Sequence, residues 1–315
     1  MLSMGLDIGG TKTEAVVLDA TGNSLMSKRI GTVKTDYYAF LTSLLDFIKD
    51  VRCAFSEPVS IGLCLPGTED STTHLIKNSN IIVLNHRPLI RDLEQALGQS
   101  VARDNDANCF TLSESTDGAG AHAGVVFGAI LGTGCGGGLS MNNLLWRGRN
   151  GNAGEWGHNP LPHFDPVKDG GPVECYCGQL NCTESFISGT GLARQFHQRN
   201  NMLLDAQSIT ALVAQQDLQA TTVFRLFRDQ LARSLASVVN IYDPDIIVVG
   251  GGLSRVPDIL SGLTEAMEHY IFNTTCNTPV VIAKHGDSSG VRGAAWLGRE
   301  AMTKQMLQTQ RQPSV

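Results

Sequence analysis

Two short glycine turns between apolar strands constrain the fold of this chain more than any other feature. The first lies in Met4–Leu18, which reads MGLDIGGTKTEAVVL, and the second in Gly124–Ser140, which reads GVVFGAILGTGCGGGLS. Each stretch predicts a strand, a tight turn and a second strand, and the backbone N–H groups of such a turn can face an anion. Because one hairpin lies in each half, we expect two similar α/β domains that face a central cleft.

Strands and helices alternate through the first third of the sequence, as in an α/β domain. Tyr37–Asp50 has the apolar spacing of a helix, and the strand Val101–Arg103 leads into another helix through the sequence DNDAN. Asp106 therefore lies at a strand-to-helix junction, where open α/β sheets place their ligands. It can be a helix N-cap or a ligand-facing carboxylate, and the neighbouring Asn105 and Asn108 favour the second interpretation.

The C-terminal half carries a second nucleotide-like pattern. A long helix is predicted over Val223–Tyr242, followed by a buried strand over Asp245–Val249 and three glycines, Gly250–Gly252. We expect a helix to begin at about Pro257, so that a ligand meets glycine backbone and a helix N-terminus. A last helix is predicted over Gly290–Arg299.

A cluster of metal-ligating residue types lies in Gly154–Glu184. It contains His158 and three of the chain's eight cysteines, Cys175, Cys177 and Cys182. Three thiolates and one imidazole form a ligand set of structural tetrahedral zinc sites. The alternatives are disulfides or unrelated buried thiols. Disulfides need an oxidising compartment and would leave one of the three unpaired.

The spacing between these cysteines suits a tight metal-binding loop. Gly178 and Asn181 lie between the ligands, and these residue types accept the positive φ of sharp turns. The other cysteines are interpreted as small buried residues without a role; they are Cys53, Cys64, Cys109, Cys135 and Cys276.

The composition disfavours several classes of function. The 315 residues carry a formal net charge of −6, and no basic run suggests a nucleic-acid surface. No apolar run approaches the length of a membrane span, and the start, MLSMGLDIGG, does not have the pattern of a signal peptide. We therefore expect a cytoplasmic protein with reduced cysteines.

Several stretches together resemble one family. DIGGTKT, LPG, DNDAN, LGTGCGGG, GEWGH, CYCG-x3-C-x-E-x3-SG and IVVGGG are similar to the motifs of the ROK family of sugar kinases, in the sugar kinase–actin superfamily. The resemblance runs from about Gly5 to Gly298. One departure is Asn181, where the family usually has glycine. ROK repressors carry an N-terminal helix-turn-helix, and we expect none here because the first hairpin begins almost at once.

The resemblance implies how a sugar is bound. Asp106 would be the general base that accepts the proton of the 6-hydroxyl as it attacks ATP. His158 would bind zinc with one ring nitrogen and face the sugar with the other. The residues implied to contact the sugar are Gly67, Asn80, Asn105, Asp106, Glu155, His158 and Glu184.

The resemblance also implies the nucleotide and metal contacts. Asp7 would help to hold Mg²⁺, and a structural Zn²⁺ would be bound by His158, Cys175, Cys177 and Cys182. The residues implied to bind ATP are Asp7, Gly9, Gly10, Thr11, Lys12, Gly132, Thr133, Gly134, Gly251 and Gly252. A homodimer is expected from the family.

Within the family, EWGHNPLP, CYCG, SFISGTG and KHGDSSGVRGAAWL are most similar to bacterial fructokinases of the manno(fructo)kinase kind. The expected activity is phosphorylation of D-fructose at its 6-hydroxyl, with mannose as a second substrate. The alternatives are an N-acetylglucosamine or glucose kinase, or a sugar-sensing regulator without catalysis. The expected domains are residues 1–107 with about 290–304, then 108–289 with the zinc loop, and a flexible tail over 305–315.

Overall fold

The structure is a computed structural model that describes residues 1–70 and 72–311, with side chains through residue 303. The chain divides into two compact units. The first comprises Met1–Asp117 together with the segment that begins at Asp287, and the second is Gly118–Gly286.

The strands, in chain order, are β1 (Leu2–Ile8), β2 (Lys12–Leu18), β3 (Ser24–Gly31), β4 (Val59–Cys64), β5 (Thr68–Glu69), β6 (Ile76–Lys77), β7 (Val101–Asp104), β8 (Val125–Leu131), β9 (Cys135–Met141), β10 (Leu144–Leu145), β11 (Ile246–Gly250) and β12 (Val280–Ile282). The α-helices are α1 (Tyr37–Arg52), α2 (Leu89–Leu97), α3 (Asp106–Thr116), α4 (Glu184–Ile187), α5 (Gly189–Asn200), α6 (Ala206–Ala214), α7 (Leu218–Tyr242), α8 (Leu263–Met267) and α9 (Ser289–Arg311). Short 3₁₀ helices lie at Ile82–Leu84, Trp156–His158, Gly252–Arg255 and Gly286–Ser288.

The first unit is built on a sheet with the order β3-β2-β1-β4-β7. The three strands β1 to β3 form an antiparallel meander, whereas β1, β4 and β7 run parallel. Helix α1 begins where the Asp36 carboxylate accepts the N–H of Ala39, and it buries Phe40 and Leu44 at helical spacing against this sheet. The helix predicted from this spacing is confirmed.

Helix α9 packs on the sheet of the first unit at two glycines in register. Gly5 of β1 pairs with Gly62 of β4. A Cβ on Gly5 would lie 1.9 Å from the carbonyl oxygen of Val291, and a Cβ on Gly62 would lie 1.9 Å from that of Ala294. The helix backbone can approach the strands this closely only because neither residue has a side chain.

The second unit repeats this arrangement, with the sheet order β10-β9-β8-β11-β12. Its first three strands are antiparallel, and β8, β11 and β12 are parallel. Helix α7 crosses its core and buries Phe227, Leu231 and Leu235 completely. The prediction of two similar α/β halves, each beginning with a glycine-turn hairpin, is therefore confirmed.

Some boundaries differ from those expected. A domain boundary after residue 107 would separate most of α3 from the first unit, but α3 packs on α9 there so closely that a Cβ on Gly293 would lie 1.7 Å from the Cys109 carbonyl oxygen. The helix that contains Gly290–Arg299 continues to Arg311, into the predicted tail, and residues 312–315 lie outside the described part of the chain. The helix expected at Pro257 is absent there, because the chain turns through Gly252–Arg255 and begins α8 only at Leu263.

Across residues 1–70 and 72–311, none of the helices is both long enough and apolar enough to span a bilayer.

Candidate active site

The parallel strands of the first unit bring three polar side chains to one edge of the sheet. Asp7 at the end of β1 is in register with Cys64 on β4, and Cys64 with Asp104 on β7. Asp106 follows two residues later, as the first residue of α3. Because the carboxyl ends of parallel strands share an edge, the predicted metal-binding Asp7 and the predicted base Asp106 lie close to each other.

Their proximity is visible in the electrostatics of Asp7. Burial raises the pKa of its carboxyl, a hydrogen bond from Cys64 lowers it, and the charges of Asp106 and Glu14 raise it further. The charge of Lys12 opposes these effects, but the pKa remains above its ordinary value. A carboxylate that is costly to ionise beside another carboxylate gains from a bound cation, which would relieve both.

Asn105, and not Asp106, is the N-cap of α3. Its side-chain oxygen accepts the N–H of Asn108 at 2.8 Å, so the amide group of Asn105 remains for a ligand. Asp106 is exposed, and its Oδ1 accepts the N–H of Ala107 at 2.9 Å. The N-cap interpretation of Asp106 is wrong. So is the ligand-facing interpretation of Asn108, which is buried and donates to the Asp104 carboxylate.

The β1–β2 turn offers fewer free amides than its four predicted phosphate contacts suggest. The N–H of Gly9 donates to the carbonyl oxygen of Lys12 at 2.9 Å, which closes the hairpin. The Thr32 hydroxyl donates to the carbonyl of Gly9. Gly10, Thr11 and Lys12 lie in the turn with partly or fully exposed surfaces. These three residues are therefore the stronger candidates for anion contacts.

Gly67 and Asn80 lie in the connection between β4 and α2. Gly67 has a φ of +88°, and a Cβ there would lie 2.5 Å from the carbonyl oxygen of Lys77. Only glycine fits this position without strain. Asn80 is exposed, two residues before the 3₁₀ turn Ile82–Leu84.

In the second unit, the predicted zinc ligands converge. Their four ligand atoms, one each from His158, Cys175, Cys177 and Cys182, all lie within 4.8 Å of one another. Cys175 Sγ lies 3.7 Å from Nδ1 of His158, and Cys177 Sγ lies 3.6 Å from Cys182 Sγ. Zinc–ligand bonds of about 2.0 to 2.3 Å in a tetrahedron separate ligand atoms by about 3.6 to 3.8 Å. These four residues therefore fit Zn²⁺.

The loop around these cysteines has the turns that the spacing predicted. Gly178 has a φ of +86° and Asn181 a φ of +59°. The Asn181 side chain also accepts the N–H of Val173 at 2.8 Å. Asparagine therefore replaces the usual family glycine without loss of the left-handed turn. The backbone N–H of Gln179 lowers the pKa of Cys177, whereas burial raises the pKa of the neighbouring Cys182. Cys177 is therefore the thiol of this pair that ionises first.

Two further predicted sugar contacts flank this loop. Glu184 begins α4, and its Oε2 accepts the N–H of Cys135 at 2.8 Å, at the start of β9. A Cβ on Gly134 would lie 2.6 Å from the same oxygen. Glu155 is exposed at the start of the 3₁₀ turn Trp156–His158. The Gly-Thr-Gly turn and the zinc loop are thus joined through Glu184.

Sequence reasoning missed Tyr176 and Trp156. The hydroxyl of Tyr176 lies 3.1 Å from Nε2 of His158, the ring nitrogen that does not face Cys175. Trp156 donates from its indole to the carbonyl of Gly136 at 2.9 Å and packs edge-on against Phe127. The large apolar tryptophan in the glycine-containing stretch GEWGH could have predicted that this turn is anchored in the core.

A cavity of about 920 Å³ lies beside the Gly-Thr-Gly turn of the second unit. The predicted nucleotide contacts Gly132, Thr133 and Gly252 line it, whereas Gly251 packs against the backbone of Leu131. Other lining residues were not predicted: Gly189, Thr190, Ala193, Asp205, Ala206, Gln207, Thr210, Ala211, Ala214, Leu253, Arg255, Val256 and Pro257. They come from α5, α6 and the turn after β11, which the sequence alone could not bring together.

Comparison with known proteins shows the family of this chain. The model of the ROK family matches residues 3–301. An N-acetyl-D-glucosamine kinase of Haemophilus influenzae is 38% identical over 298 residues, covering 93% of this chain and 98% of the relative. The ROK hexokinase of Thermus thermophilus superposes with a TM-score of 0.85 at 27% identity, covering 96% of this chain and all of that one.

A second solved structure was determined with ligands. It is a ROK family glucokinase from Streptomyces griseus in complex with glucose and AMPPNP. It superposes with a TM-score of 0.73 at 28% identity, and the match covers 95% of this chain and 100% of the glucokinase.

Proposed function

This chain belongs to the ROK family and is a sugar kinase with the sugar kinase/actin-like fold, and from that premise we propose that it transfers the γ-phosphoryl group of ATP to the 6-hydroxyl of a hexose. The observation that carries the proposal is the pair of carboxylates at one sheet edge, Asp7 and Asp106. One carboxylate suits a cation and the other, exposed, suits a proton acceptor.

The first candidate substrate is N-acetyl-D-glucosamine. The Haemophilus influenzae relative, at 38% identity over nearly the whole chain, bears that activity in its name. The sequence motifs favoured fructose instead, and the names of the curated relatives do not support that preference. Fructose, with mannose, remains the second candidate because of the stretches EWGHNPLP and KHGDSSGVRGAAWL.

In the proposed reaction, Asp106 accepts the proton of the 6-hydroxyl while that oxygen attacks the γ-phosphorus. Asp106 is exposed, and the hydrogen bond that it accepts within the described part of the chain, from Ala107, goes to Oδ1, which leaves Oδ2 for the substrate. The proposed sugar contacts are Gly67, Asn80 and Asn105 in the first unit and Glu155, His158 and Glu184 in the second. Carboxylates and amides suit a sugar, because each hydroxyl both donates and accepts hydrogen bonds.

The proposed nucleotide contacts lie in the two glycine turns and in the cavity of the second unit. We propose that Gly10, Thr11 and Lys12 face the phosphates, with Thr133 and Gly134 contributing from the second unit. Asp7 would hold Mg²⁺ directly or through water, and the metal would neutralise charge on the transferred group. The cavity lined by Gly132 and Gly252 has the size expected for the adenosine portion.

Zn²⁺ would be held by His158, Cys175, Cys177 and Cys182, and its role would be structural. Nδ1 of His158 faces Cys175 Sγ, so a bound ion would orient the ring through Nδ1, and Nε2 would remain as a donor. Cys182 lies two residues before Glu184, the first residue of α4, so a bound ion would also restrain the start of that helix. A cytoplasmic location and a homodimer stay predictions.

The activity is tested by ADP release from purified, zinc-replete protein with Mg-ATP and one sugar at a time. The panel is N-acetyl-D-glucosamine, fructose, mannose and glucose. The highest kcat/KM identifies the substrate, and we expect N-acetyl-D-glucosamine to give it. Sugar binding without ADP release by any member would instead support a sugar sensor.

The base assignment is tested with Asp106→Asn, which keeps the shape but cannot accept the proton. We expect kcat to fall by about 10² to 10⁴, the usual contribution of a positioned acid or base, with little change in either KM. A kcat near that of the wild type would remove Asp106 from the proposed role.

A further inference from the structure

The segment between His158 and Cys175 joins two ligands of the zinc cluster, and it is anchored at several places. At its start, the N–H of Leu161 donates to the Asn181 carbonyl at 2.7 Å, next to Cys182. Further along, the segment carries Asp169, which is completely buried although it is a carboxylate. A buried charge requires partners, and those of Asp169 all hold the segment in place.

The main partner is Arg233 of α7. Its side chain is 2% exposed, and its Nη2 lies 2.5 Å from Oδ1 of Asp169 while its Nη1 lies 3.0 Å from Oδ2. The same Nη1 donates to the carbonyl oxygens of Pro162 and His163, at 3.1 and 2.9 Å. One guanidinium thus binds the segment at two separate points, through its backbone and through its carboxylate.

Neighbouring groups complete the surroundings of the carboxylate. Gln230 of α7 donates to Oδ1 of Asp169 at 3.1 Å, and the N–H of Asp165 donates to Oδ2 at 2.9 Å. Burial alone would raise the pKa of Asp169, but the hydrogen bonds from Arg233, Asp165 and Gln230 hold it below its ordinary value. The carboxylate is therefore ionised in the folded protein at neutral pH.

Stability alone does not account for this arrangement. A buried ion pair loses much of its Coulombic energy to desolvation, and apolar residues of similar volume are often as stabilising or more so. The charged pair adds a geometric restraint. The planar guanidinium can hydrogen-bond to the carboxylate and to the two carbonyls only when these groups lie in one arrangement. The segment that is restrained in this way connects His158 to Cys175, two of the proposed zinc ligands.

We propose that Arg233 and Asp169 are positioning residues of the sugar site, which fix residues 159–170 on α7 and thereby place His158 and the zinc loop. This inference rests on the proposed function for its kinetic consequence. Its structural part, the fixation of the segment, does not depend on which sugar is phosphorylated.

The test replaces both charges, in Asp169→Leu/Arg233→Met. Asp229 of α7, which also pairs with Nε of Arg233 at 3.1 Å, keeps Lys168 as a partner at 2.8 Å. Because no charge is left unpaired, the variant should unfold at a temperature near that of the wild type. We expect the KM for the sugar to rise by about 10-fold or more and zinc to dissociate faster into a chelator, as when groups that orient metal ligands are removed. The KM for ATP should change by less than about twofold, because the segment does not line the nucleotide cavity.

Lys168→Met is the matched control. Lys168 precedes Asp169 and forms an ion pair with Asp229 of α7 at 2.8 Å, but its side chain is 48% exposed. Loss of an exposed pair should leave sugar KM and zinc release unchanged. If Asp169→Leu/Arg233→Met behaves like this control, or raises both KM values alike, the proposal is wrong.

Two further measurements keep the test decisive. Arg233→Lys is the variant to measure if the double variant does not fold. It retains the charge but cannot reach both carboxylate oxygens and both carbonyls, so we expect a rise in sugar KM that is smaller than the one predicted for the double variant. Hydrogen–deuterium exchange of residues 159–170 should be faster in either variant, whereas wild-type exchange there would overturn the inference. If no sugar stimulates ADP release in the wild type, the proposed function fails, and exchange and zinc release still decide whether the pair fixes the segment.

Discussion

The hydroxyl of Tyr176 lies 3.1 Å from Nε2 of His158, and the two rings meet edge to face with centroids 5.3 Å apart. Nδ1 of the same imidazole faces Cys175 Sγ, so Nε2 is the nitrogen left for a substrate. The Tyr176 hydroxyl therefore competes with the proposed sugar contact for Nε2 of His158. Tyr176 is 83% exposed, so its side chain is free to rotate away from His158 when a sugar binds.

Tyr176→Phe should consequently bind the sugar more tightly. The substrate would no longer displace a hydroxyl from His158, and one net hydrogen bond is worth about 0.5 to 1.5 kcal/mol, or roughly 2- to 10-fold in sugar KM. The measurement is steady-state kinetics with sugar and ATP varied separately, and kcat and the KM for ATP should stay constant. Tyr38→Phe, at another exposed tyrosine, is the control. A higher sugar KM in Tyr176→Phe would mean that the hydroxyl contacts the sugar.

Asp7→Asn should raise stability while it lowers activity. Burial raises the pKa of Asp7, so its ionised form destabilises the folded state above that pKa, and the penalty vanishes as the pH falls below the ordinary value of 3.8. In the absence of Mg²⁺, the variant should melt a few degrees higher at neutral pH, at about 2 to 4 °C per kcal/mol. Its advantage should shrink towards pH 4.

The activity of Asp7→Asn is the second half of this prediction. An amide holds Mg²⁺ less well than a carboxylate, so kcat should fall and added Mg²⁺ should restore part of it. Unchanged activity together with a higher melting temperature would assign Asp7 no part in metal binding.

Local patterns carried the predictions that succeeded. His158 and the three cysteines lie within 25 residues of one another in the sequence, and the structure brings them together as predicted, whereas the zinc itself stays a prediction. Asn181 takes the left-handed turn that its residue type allows. The two hairpins were readable because each turn lies between two apolar strands. Residue types that act within a few positions of each other need no tertiary information.

Predictions that depended on backbone geometry or on distant partners failed or were not made. Asn105 and Asp106 are both good N-caps, and only the backbone geometry decides between them. Arg233 lies 64 positions from Asp169, and in an amphipathic helix an arginine is ordinarily expected on the exposed face. The need for glycine at Gly5 and Gly62 could not be predicted from the strands alone, because it arises from the close packing of α9.

Removal of zinc should impair sugar binding more than nucleotide binding. Chelation would free His158 and the loop that ends at Glu184, so we expect sugar KM to rise by about 10- to 100-fold, the effect typical of lost metal orientation. The KM for ATP should change little, and added Zn²⁺ should restore activity. Cys177→Ser should mimic chelation. Cys53→Ser should not, because Cys53 lies outside the cluster; it is exposed, so the prediction that it is buried is wrong. Full sugar kinetics in metal-free protein would exclude the structural role.

Gly251→Ala tests how the glycine run after β11 supports the nucleotide cavity. Gly251 has a φ of +84°, and a Cβ there would lie 2.4 Å from the carbonyl oxygen of Leu131. Gly98→Ala is a control that separates the two effects, because Gly98 has a φ of +66° and a methyl group added there would meet nothing within 4 Å. The control should lose only about 1 kcal/mol of stability from the backbone conformation.

Gly251→Ala should lose more than the control, because β11 and β8 must separate to admit the methyl group. Leu131 immediately precedes the turn residues Gly132 and Thr133, and Gly252 lines the same cavity, so a shift between the strands moves both walls. We therefore expect the KM for ATP to rise while the KM for the sugar stays near its wild-type value. Equal melting temperatures and equal ATP kinetics in Gly251→Ala and Gly98→Ala would show that the close contact with Leu131 has no consequence for the nucleotide site.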